Sequence, residues 1–292
     1  PENDVRLRAK IELGKHDAKE VTDAAAAWAK TLDAKSATYE HDVLEALWVH
    51  QWHNVVNVDL LEKVLRSPEP RARAQGVRVL CYWRDRVPSA LDFIKAAAND
   101  PAPRVRLEAI RAASFFRQWE AADAALTALK HPTDYYINYC LKETMKQLDP
   151  WWKTAIRDGH PLASDNPAGI EFILAGVSTA ELDKLPKSPG VHAAMLARYD
   201  TPEAMRRKAA DELSALNKTT NAVTLIDAIR ALKGDGPAAN ALNRLLLERP
   251  EQELKASRDA LLKLTEKDAA SISQAAYAAV MLADASLDPS WQ

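Results

Sequence analysis

The chain has 292 residues, of which 47% are hydrophobic, 39 are lysine or arginine and 41 are aspartate or glutamate. This apolar content is enough for one large or two ordinary domains, and the formal net charge of −2 creates no overall attraction to nucleic acid or anionic lipid. Only 8 residues are glycine, which argues against Rossmann-type and β-rich folds because both use glycines at tight turns. We therefore expect a folded, helix-rich chain.

The N-terminal part is predicted to cap a helical array. Residues 1–38 are charged and then alanine-rich, and their weak apolar periodicity predicts capping helices. A longer helix is predicted over residues 39–53 and a short one over 58–65. The prolines that follow residue 65 end the short helix.

A two-helix unit then recurs along the chain. Residues 70–83 and 103–116 both begin with a proline and Arg-x-Arg, continue with small or apolar residues at helical spacing, and end in aromatic residues. Aligning the pairs that begin at Ala46, Gly76, Ala109 and Cys140 gives offsets of 30, 33 and 31 residues, with one short helix in each interval. A period of this length built from two helices is typical of an α-solenoid. We expect regular repeats over residues 39–157.

The turn chemistry agrees with this architecture. Asp100 precedes a helix start that proline favours, where it can cap the helix or pair with an arginine of the same or a neighbouring turn. Asp100, Val105, Arg106 and Ala109 resemble the Asp, Val-Arg and Ala positions of HEAT repeats. The predicted fold class is therefore all-α, a right-handed α-solenoid of HEAT-like helix pairs.

The second half is less regular. A loop is predicted after residue 157, and residues 158–292 are expected to be divergent helical repeats that continue the solenoid. Helices are predicted at residues 169–177, 179–185, 191–198, 202–216, 222–232, 238–247, 252–264 and 269–283.

The arginine pairs at the repeat starts allow two roles. Arg71 and Arg73, like Arg104 and Arg106, are predicted to lie at helix N-termini, where a phosphate could bind. Alternatively they bridge successive turns by bonding to Asp100, Glu69 or main-chain carbonyls. The nearly balanced net charge favours the second role.

Aromatic and basic residues recur at the ends of successive predicted helices. They could form one partner-binding surface, or each ring could close the end of its own helix pair, as bulky residues do in solenoid cores. The candidate partner-binding residues are Trp48, His50, Trp52, Tyr82, Trp83, Arg84, Arg86, Arg104, Phe116, Arg117, Tyr135 and Tyr136.

No complete catalytic, nucleotide or metal motif occurs in the sequence. His50 and His53 lack a third ligand, and no Gly-x-Gly-x-x-Gly or Gly-Lys-Ser/Thr is present. Cys81 and Cys140 lie in apolar patterns without a Cys-x-x-Cys partner, so we interpret them as small hydrophobic residues, although a disulfide between them is an alternative. We therefore predict no catalytic residue, no bound metal and no cofactor in this segment.

Several stretches resemble one group of bacterial proteins. The segments that begin at Leu44, Arg78, Arg104, Asp134 and Ala276 are similar to the HEAT-like middle region of large membrane-bound dehydrogenases of planctomycete-type bacteria. In that family a sugar-dehydrogenase-like propeller precedes this region and a c-type cytochrome follows it. The resemblance implies an exported redox protein, periplasmic or attached to the cell envelope, of which this chain is one piece.

The same resemblance implies where haem would be bound. The chain contains no Cys-x-x-Cys-His, so haem c is expected in a neighbouring domain. The expected partners are then protein domains of the same parent chain or a redox partner. No apolar run long enough to span a membrane occurs.

These observations favour a non-catalytic scaffold and leave two alternatives. A nucleic-acid-binding protein resembling HEAT-like DNA glycosylases would need a catalytic carboxylate, for which Asp85 near Trp83 is the candidate, although we regard nucleic acid as a disfavoured partner. A carbohydrate-binding module would use Tyr135, Tyr136 and the pair 151–152.

Overall fold

The computed structural model describes residues 3–185, 187–232, 234–266 and 269–285. Within these ranges the chain is all-helical, as predicted, with 19 α-helices and no strand. The helices are α1 (Asn3–Leu13), α2 (Ala18–Thr31), α3 (Tyr39–Trp52), α4 (Val58–Leu65), α5 (Pro70–Trp83), α6 (Ala90–Ala98), α7 (Pro103–Ala113), α8 (Trp119–Leu126), α9 (Tyr135–Gln147), α10 (Asp149–Arg157), α11 (Pro167–Gly176), α12 (Thr179–Lys184), α13 (Pro189–Ala197), α14 (Glu203–Asn217), α15 (Asn221–Ala231), α16 (Pro237–Leu247), α17 (Glu251–Ala256), α18 (Arg258–Thr265) and α19 (Ala270–Asp284). A short 3-10 helix, Thr127–Lys130, continues α8.

The chain forms two compact units, one ending at Gly169 and the other beginning at Ile170. In the N-terminal unit, α3, α5, α7 and α9 pack side by side in one layer, and α6, α8 and α10 pack in a second. Successive helix pairs therefore stack on one another, which is the arrangement of an α-solenoid. This confirms the predicted fold class.

The predicted repeat register describes the core of this unit. Leu47, Val77, Ile110 and Leu141 occupy equivalent positions in successive repeats, and each is 0% exposed. Gly76 lets α5 lie close to α4, because a Cβ there would be a tight 3.0 Å from the Val64 side chain. The offsets found in the sequence are thus the spacing of the packed layers.

Arginines connect one turn to the next. Arg73 of α5 donates to both carboxylate oxygens of Asp100 in the following turn, at 2.7 and 2.9 Å, and also to the Ser67 carbonyl. Arg106, which is 3% exposed, donates to the carbonyls of Asp100 and of Pro132, again one turn further on. Arg73 and Arg106 therefore have the predicted bridging role.

The segment after α10 is fixed to the N-terminal unit. The amide of Ala163 donates to Asp123, the Asn166 side chain donates to the Leu126 carbonyl at 2.7 Å, and Leu162 is buried. The first compact unit therefore extends past the predicted end of the regular repeats at residue 157.

The C-terminal unit packs its helices in a less regular order. α13 packs on α14, and α19 contacts α16, α17 and α18. Arg206, 1% exposed, donates to the carbonyls of Leu196, Arg198 and Thr201 and so fixes the turn before α14.

One predicted helix of this unit is wrong. The helix expected over residues 252–264 is divided into α17 and α18 at Ser257. The Ser257 amide bonds to the carbonyl of Leu254, only three residues back, which tightens the chain there and interrupts the helix.

Candidate functional site

The outer surface of α5, α7 and α9 repeats in register with the core. In a helix, the residues seven and eleven positions after a given residue lie on the same side as that residue. In each of these three helices one such set of residues is exposed or half-exposed. Across the three helices the equivalent residues are Arg71, Arg104 and Tyr135, then Arg78, Arg111 and Lys142, then Tyr82, Phe115 and Lys146. We call these nine residues the α5–α7–α9 face.

This face is basic. The three helices, all of whose residues are described, contain two acidic residues, Glu108 and Glu143. Glu108 is 5% exposed and is neutralised by Arg104 at 3.1 Å and Arg111 at 3.2 Å. The six exposed or half-exposed cations of the face therefore exceed the two acidic residues by four, and Glu143 is the exposed carboxylate of the two.

A groove of about 650 Å³ runs between α7 and α9. Its apolar walls are formed by Leu107, Phe115, Tyr136 and Tyr139. A second groove of about 540 Å³ shares Phe115, Ser114 and Gln147 with the first and continues toward Asp85, Arg117 and Trp151. Together the two grooves form one continuous depression in which aromatic and polar groups alternate.

Phe115 is held between the two grooves by cations. The guanidinium carbons of Arg84 and Arg111 lie 5.4 and 5.9 Å from the centre of its ring, a distance at which a cation is attracted to an aromatic face. The Nη2 atom of Arg111 is buried and has no hydrogen-bond partner among the described residues. The groove thus contains a positively charged donor whose hydrogen-bonding capacity is unfilled.

Both cysteines are free thiols. Cys81 is buried, in agreement with its interpretation as a small hydrophobic residue, whereas Cys140 is half-buried and lines the first groove. Burial raises the pKa of both thiols above the ordinary value, outweighing the nearby Arg111, so neither thiol is activated.

Most predicted partner-binding residues are at the surface, but two are not. Trp83 is 1% exposed and His50 is 3% exposed, so the expectation that their side chains face a partner is wrong. Trp83 fills the end of its own helix pair, the alternative role noted for these rings. The exposed or half-exposed candidates are Trp48, Trp52, Tyr82, Arg84, Arg86, Arg104, Phe116, Arg117, Tyr135 and Tyr136.

The burial of His50 has a clear physical cause. Its Nδ1 bonds to the carbonyl of Ala46 at 3.0 Å, and its Nε2 bonds to the side-chain amide of Asn57 at 3.1 Å. Asn57 in turn accepts a bond from the Leu60 amide as the N-cap of α4. Both imidazole nitrogens are therefore occupied in connecting α3 to α4.

Some exposed candidates lie away from the α5–α7–α9 face or have structural partners. Trp48 is half-buried beneath Lys10, whose ammonium lies 4.6 Å from the ring centre. Arg86 donates to Asn54 in the preceding turn. Arg84, Phe116 and Arg117 line the second groove, and Tyr136 lines the first.

Several residues of the face lie outside the candidates predicted from the sequence. Arg78, Arg111, Lys142 and Lys146 were not among the candidates, and neither was the groove residue Tyr139. The signal that could have found the four cations is the repeat offset itself, applied to surface positions as well as to the core.

The requirements of the other candidate functions are met only in part. Asp85, with a side chain 82% exposed and Arg84 3.6 Å away, lines the second groove beside Trp151, and buried Trp83 does not accompany it there. Trp152 is also buried and donates to the Met145 carbonyl, so the predicted pair 151–152 is not an exposed platform for a sugar.

The described residues also show no group of three or more histidine, cysteine or acidic side chains that could hold a metal ion. None of the described helices is long and apolar enough to cross a membrane. The residues required for covalent haem attachment are absent from the sequence, in which the two cysteines are Cys81 and Cys140.

Comparison with known proteins identifies the repeat. Residues 58–139, from α4 into α9, match the family model for HEAT repeats. No curated protein and no solved structure matches the chain significantly. The stacked helix pairs, the arginine bridges and this match together identify the middle of the N-terminal unit as a HEAT-like repeat region, a type of array that serves as a scaffold or interaction domain.

Proposed function

We propose that this chain is a non-catalytic scaffold that docks a protein partner on the α5–α7–α9 face. The observation that carries the proposal is the continuous depression beside Phe115, where Tyr136, Tyr139 and Trp151 alternate with Arg84, Arg111 and Arg117. Aromatic and arginine side chains are the residues most enriched in protein interfaces and among their energetic hot spots.

The rigidity of the array supports the same function. Arg73 and Arg106 bridge consecutive turns, so the exposed residues of α5, α7 and α9 are held at fixed separations. A surface with its geometry fixed in advance loses less entropy on binding. Such a unit can hold two other domains at a defined distance.

We further propose that the parent is an exported redox protein. The support is the resemblance of the segments beginning at Leu44, Arg78, Arg104, Asp134 and Ala276 to the middle region of planctomycete-type membrane-bound dehydrogenases. In that arrangement the scaffold separates a sugar-dehydrogenase-like propeller from a c-type cytochrome in the periplasm or cell envelope. Haem would be bound by the cytochrome domain, because this chain lacks the attachment motif.

The test of the redox parent is the coding sequence on both sides of the segment. Regions that encode a propeller upstream and Cys-x-x-Cys-His downstream would support the proposal. Stop codons immediately outside both ends would refute it, while leaving the docking function open to its own test.

The docking function is tested by photo-crosslinking in the intact parent protein. A photoreactive phenylalanine analogue at Tyr136, in the groove, should crosslink to a second domain or to a partner chain. The same analogue at Tyr199, which is 74% exposed and lies in the C-terminal unit, is the matched control. Equal crosslinking at both positions, or none at Tyr136, would contradict docking on this face.

A further inference from the structure

The cations of the α5–α7–α9 face form a row across the repeats. Arg78, Arg111 and Lys142 occupy the same position on three neighbouring helices, separated by the repeat offsets of 33 and 31 residues. Packed helices lie about 8–10 Å apart. The row therefore presents a positive charge at roughly every 10 Å, which is a regular pattern that a partner can match.

An extended peptide matches this spacing. A segment in the extended polyproline II conformation advances about 3.1 Å per residue and completes a turn every three residues, so side chains three residues apart point to the same side and span the distance from one helix to the next. A carboxylate at about every third position would then meet each cation in turn. Arg111, whose side chain is 38% exposed, occupies the middle of this row.

The groove beside this row supplies an apolar site. Leu107 of α7 lines one side of the groove, and Tyr136 and Tyr139 of α9 line the other. A bulky apolar side chain placed between them would be sheltered from water, with the carboxylates of the same segment outside on the cations.

We propose that the α5–α7–α9 face binds an extended acidic segment of a partner protein, with carboxylates on Arg78, Arg111 and Lys142 and an apolar anchor against Tyr136 and Tyr139. This inference rests on the proposed docking function and specifies the chemistry of the partner. The supporting observation is the excess of exposed positive charge on three helices with one exposed carboxylate.

The positions of the acidic residues favour a peptide over a nucleic acid. Glu143 is exposed in the wall of the groove, next in sequence to Lys142. A polyphosphate backbone carries a charge on every unit, so one strand following the row would bring a phosphate against this carboxylate. A peptide can place neutral residues there.

The probe for this proposal is a fluorescein-labelled synthetic peptide with glutamate at every third position and a central leucine–phenylalanine pair. Its binding to the chain is followed by fluorescence anisotropy. The comparison probes are the same peptide with glutamine in place of glutamate, the same peptide with lysine, and a labelled single-stranded oligonucleotide. The acidic peptide should bind tightest, and added salt should weaken it through screening.

Two charge-matched double variants test the site. Arg78→Glu with Lys142→Glu reverses two exposed cations of the row, whereas Lys30→Glu with Lys35→Glu reverses two exposed cations near α2. Both change the net charge equally. In the Arg78→Glu, Lys142→Glu variant two attractions become two repulsions, so the acidic peptide should bind about tenfold more weakly, a change of about 1.4 kcal/mol. The Lys30→Glu, Lys35→Glu variant should bind the peptide as the wild type does.

A third variant tests the apolar anchor. Tyr136→Ala should weaken binding of the acidic peptide and leave the helical content, measured by circular dichroism, unchanged.

Equal binding of the glutamine peptide, equal weakening by the two double variants, or tighter binding of the oligonucleotide would each overturn the proposal. If the acidic peptide fails to bind while photo-crosslinking at Tyr136 persists, docking stands and the acidic partner is excluded.

Discussion

Replacing Asp100 with alanine should destabilise the N-terminal unit by about 3 kcal/mol. Asp100 accepts two bonds from Arg73 and one from the amide of Ala102 at 2.8 Å. The side chains of Arg73 and Asp100 are only 16% and 11% exposed. The substitution therefore removes a bidentate ion pair, leaves a guanidinium that is largely removed from water without its anionic partner, and removes the bond to the Ala102 amide.

The magnitude follows from these three losses. Removing one partner of a fully buried ion pair costs about 3–5 kcal/mol, and the remaining exposure of both groups lowers that figure to about 2 kcal/mol. Loss of the carboxylate bond to the Ala102 amide, in the turn before α7, adds about 1 kcal/mol. Asp100→Asn, which keeps an oxygen for the Ala102 amide, should recover about 1 kcal/mol.

The free energy of unfolding that Asp100→Ala removes should become smaller as the pH falls. Burial by itself would raise the pKa of the Asp100 carboxyl, but the bonds from Arg73 and Ala102 and the positive charge of Arg73 outweigh it and lower the pKa below its ordinary value. A carboxyl with a lowered pKa in the folded state contributes stability above its unfolded pKa and loses it as the pH falls. The difference between wild type and Asp100→Ala should therefore be constant near neutral pH and shrink below about pH 4.

Urea unfolding followed by tryptophan fluorescence measures this effect. Seven of the eight tryptophans precede residue 170, so the signal reports mainly the N-terminal unit. Arg73→Ala should cost as much as Asp100→Ala, the double variant little more, and exposed Arg71→Ala less than about 0.5 kcal/mol. A cost of Asp100→Ala no larger than that of Arg71→Ala, or strictly additive effects of Arg73 and Asp100, would refute the bridging role.

Three further outcomes are expected. Burial lowers the pKa of His192, whose Nδ1 lacks a hydrogen-bond partner among the described residues, and neighbouring Glu212 only partly opposes this effect. Because the unfolded state then binds the proton more readily, the C-terminal unit should lose stability below about pH 6.5. Thermal melts should show this loss in the wild type and a smaller loss in His192→Gln. Iodoacetamide labelling followed by mass spectrometry should modify half-buried Cys140 before buried Cys81, and both more slowly than in urea, whereas equal rates in the folded protein would contradict their placement. Trp83→Ala should cost about 3–5 kcal/mol in the same urea titration, and a loss below about 1 kcal/mol would show that the ring is not part of the core.

The repeat period predicted the layers because it is a property of the core. Leu47, Val77, Ile110 and Leu141 must lie at one depth for the pairs to stack, so their spacing in the sequence reveals the packing. The bridging role of Arg73 was predictable because the arginine pair recurs at each repeat start and Asp100 lies in the turn before the next pair. Both features are repeated, and repetition is visible in one sequence.

The site was harder to predict because it depends on helix rotation. His50 and Trp83 lie at helix ends like Tyr82, and residue type alone does not show which of them turns inward. The break at Ser257 likewise lies at a three-residue hydrogen bond, which the apolar periodicity of the sequence does not reveal. The second wall of the groove, with Tyr139, required knowledge of how α9 packs on α7.

The Arg106 bridge affects how freely the turns can diverge. Arg106 reaches across to the carbonyl of Pro132, a main-chain group that every residue type possesses, whereas Arg73 requires the carboxylate of Asp100. A turn recognised through its main chain can accumulate substitutions without losing its bond to the neighbouring repeat. During the evolution of such arrays the link at Arg106 would survive sequence drift in the next turn, while the link at Arg73 would keep Asp100 under selection.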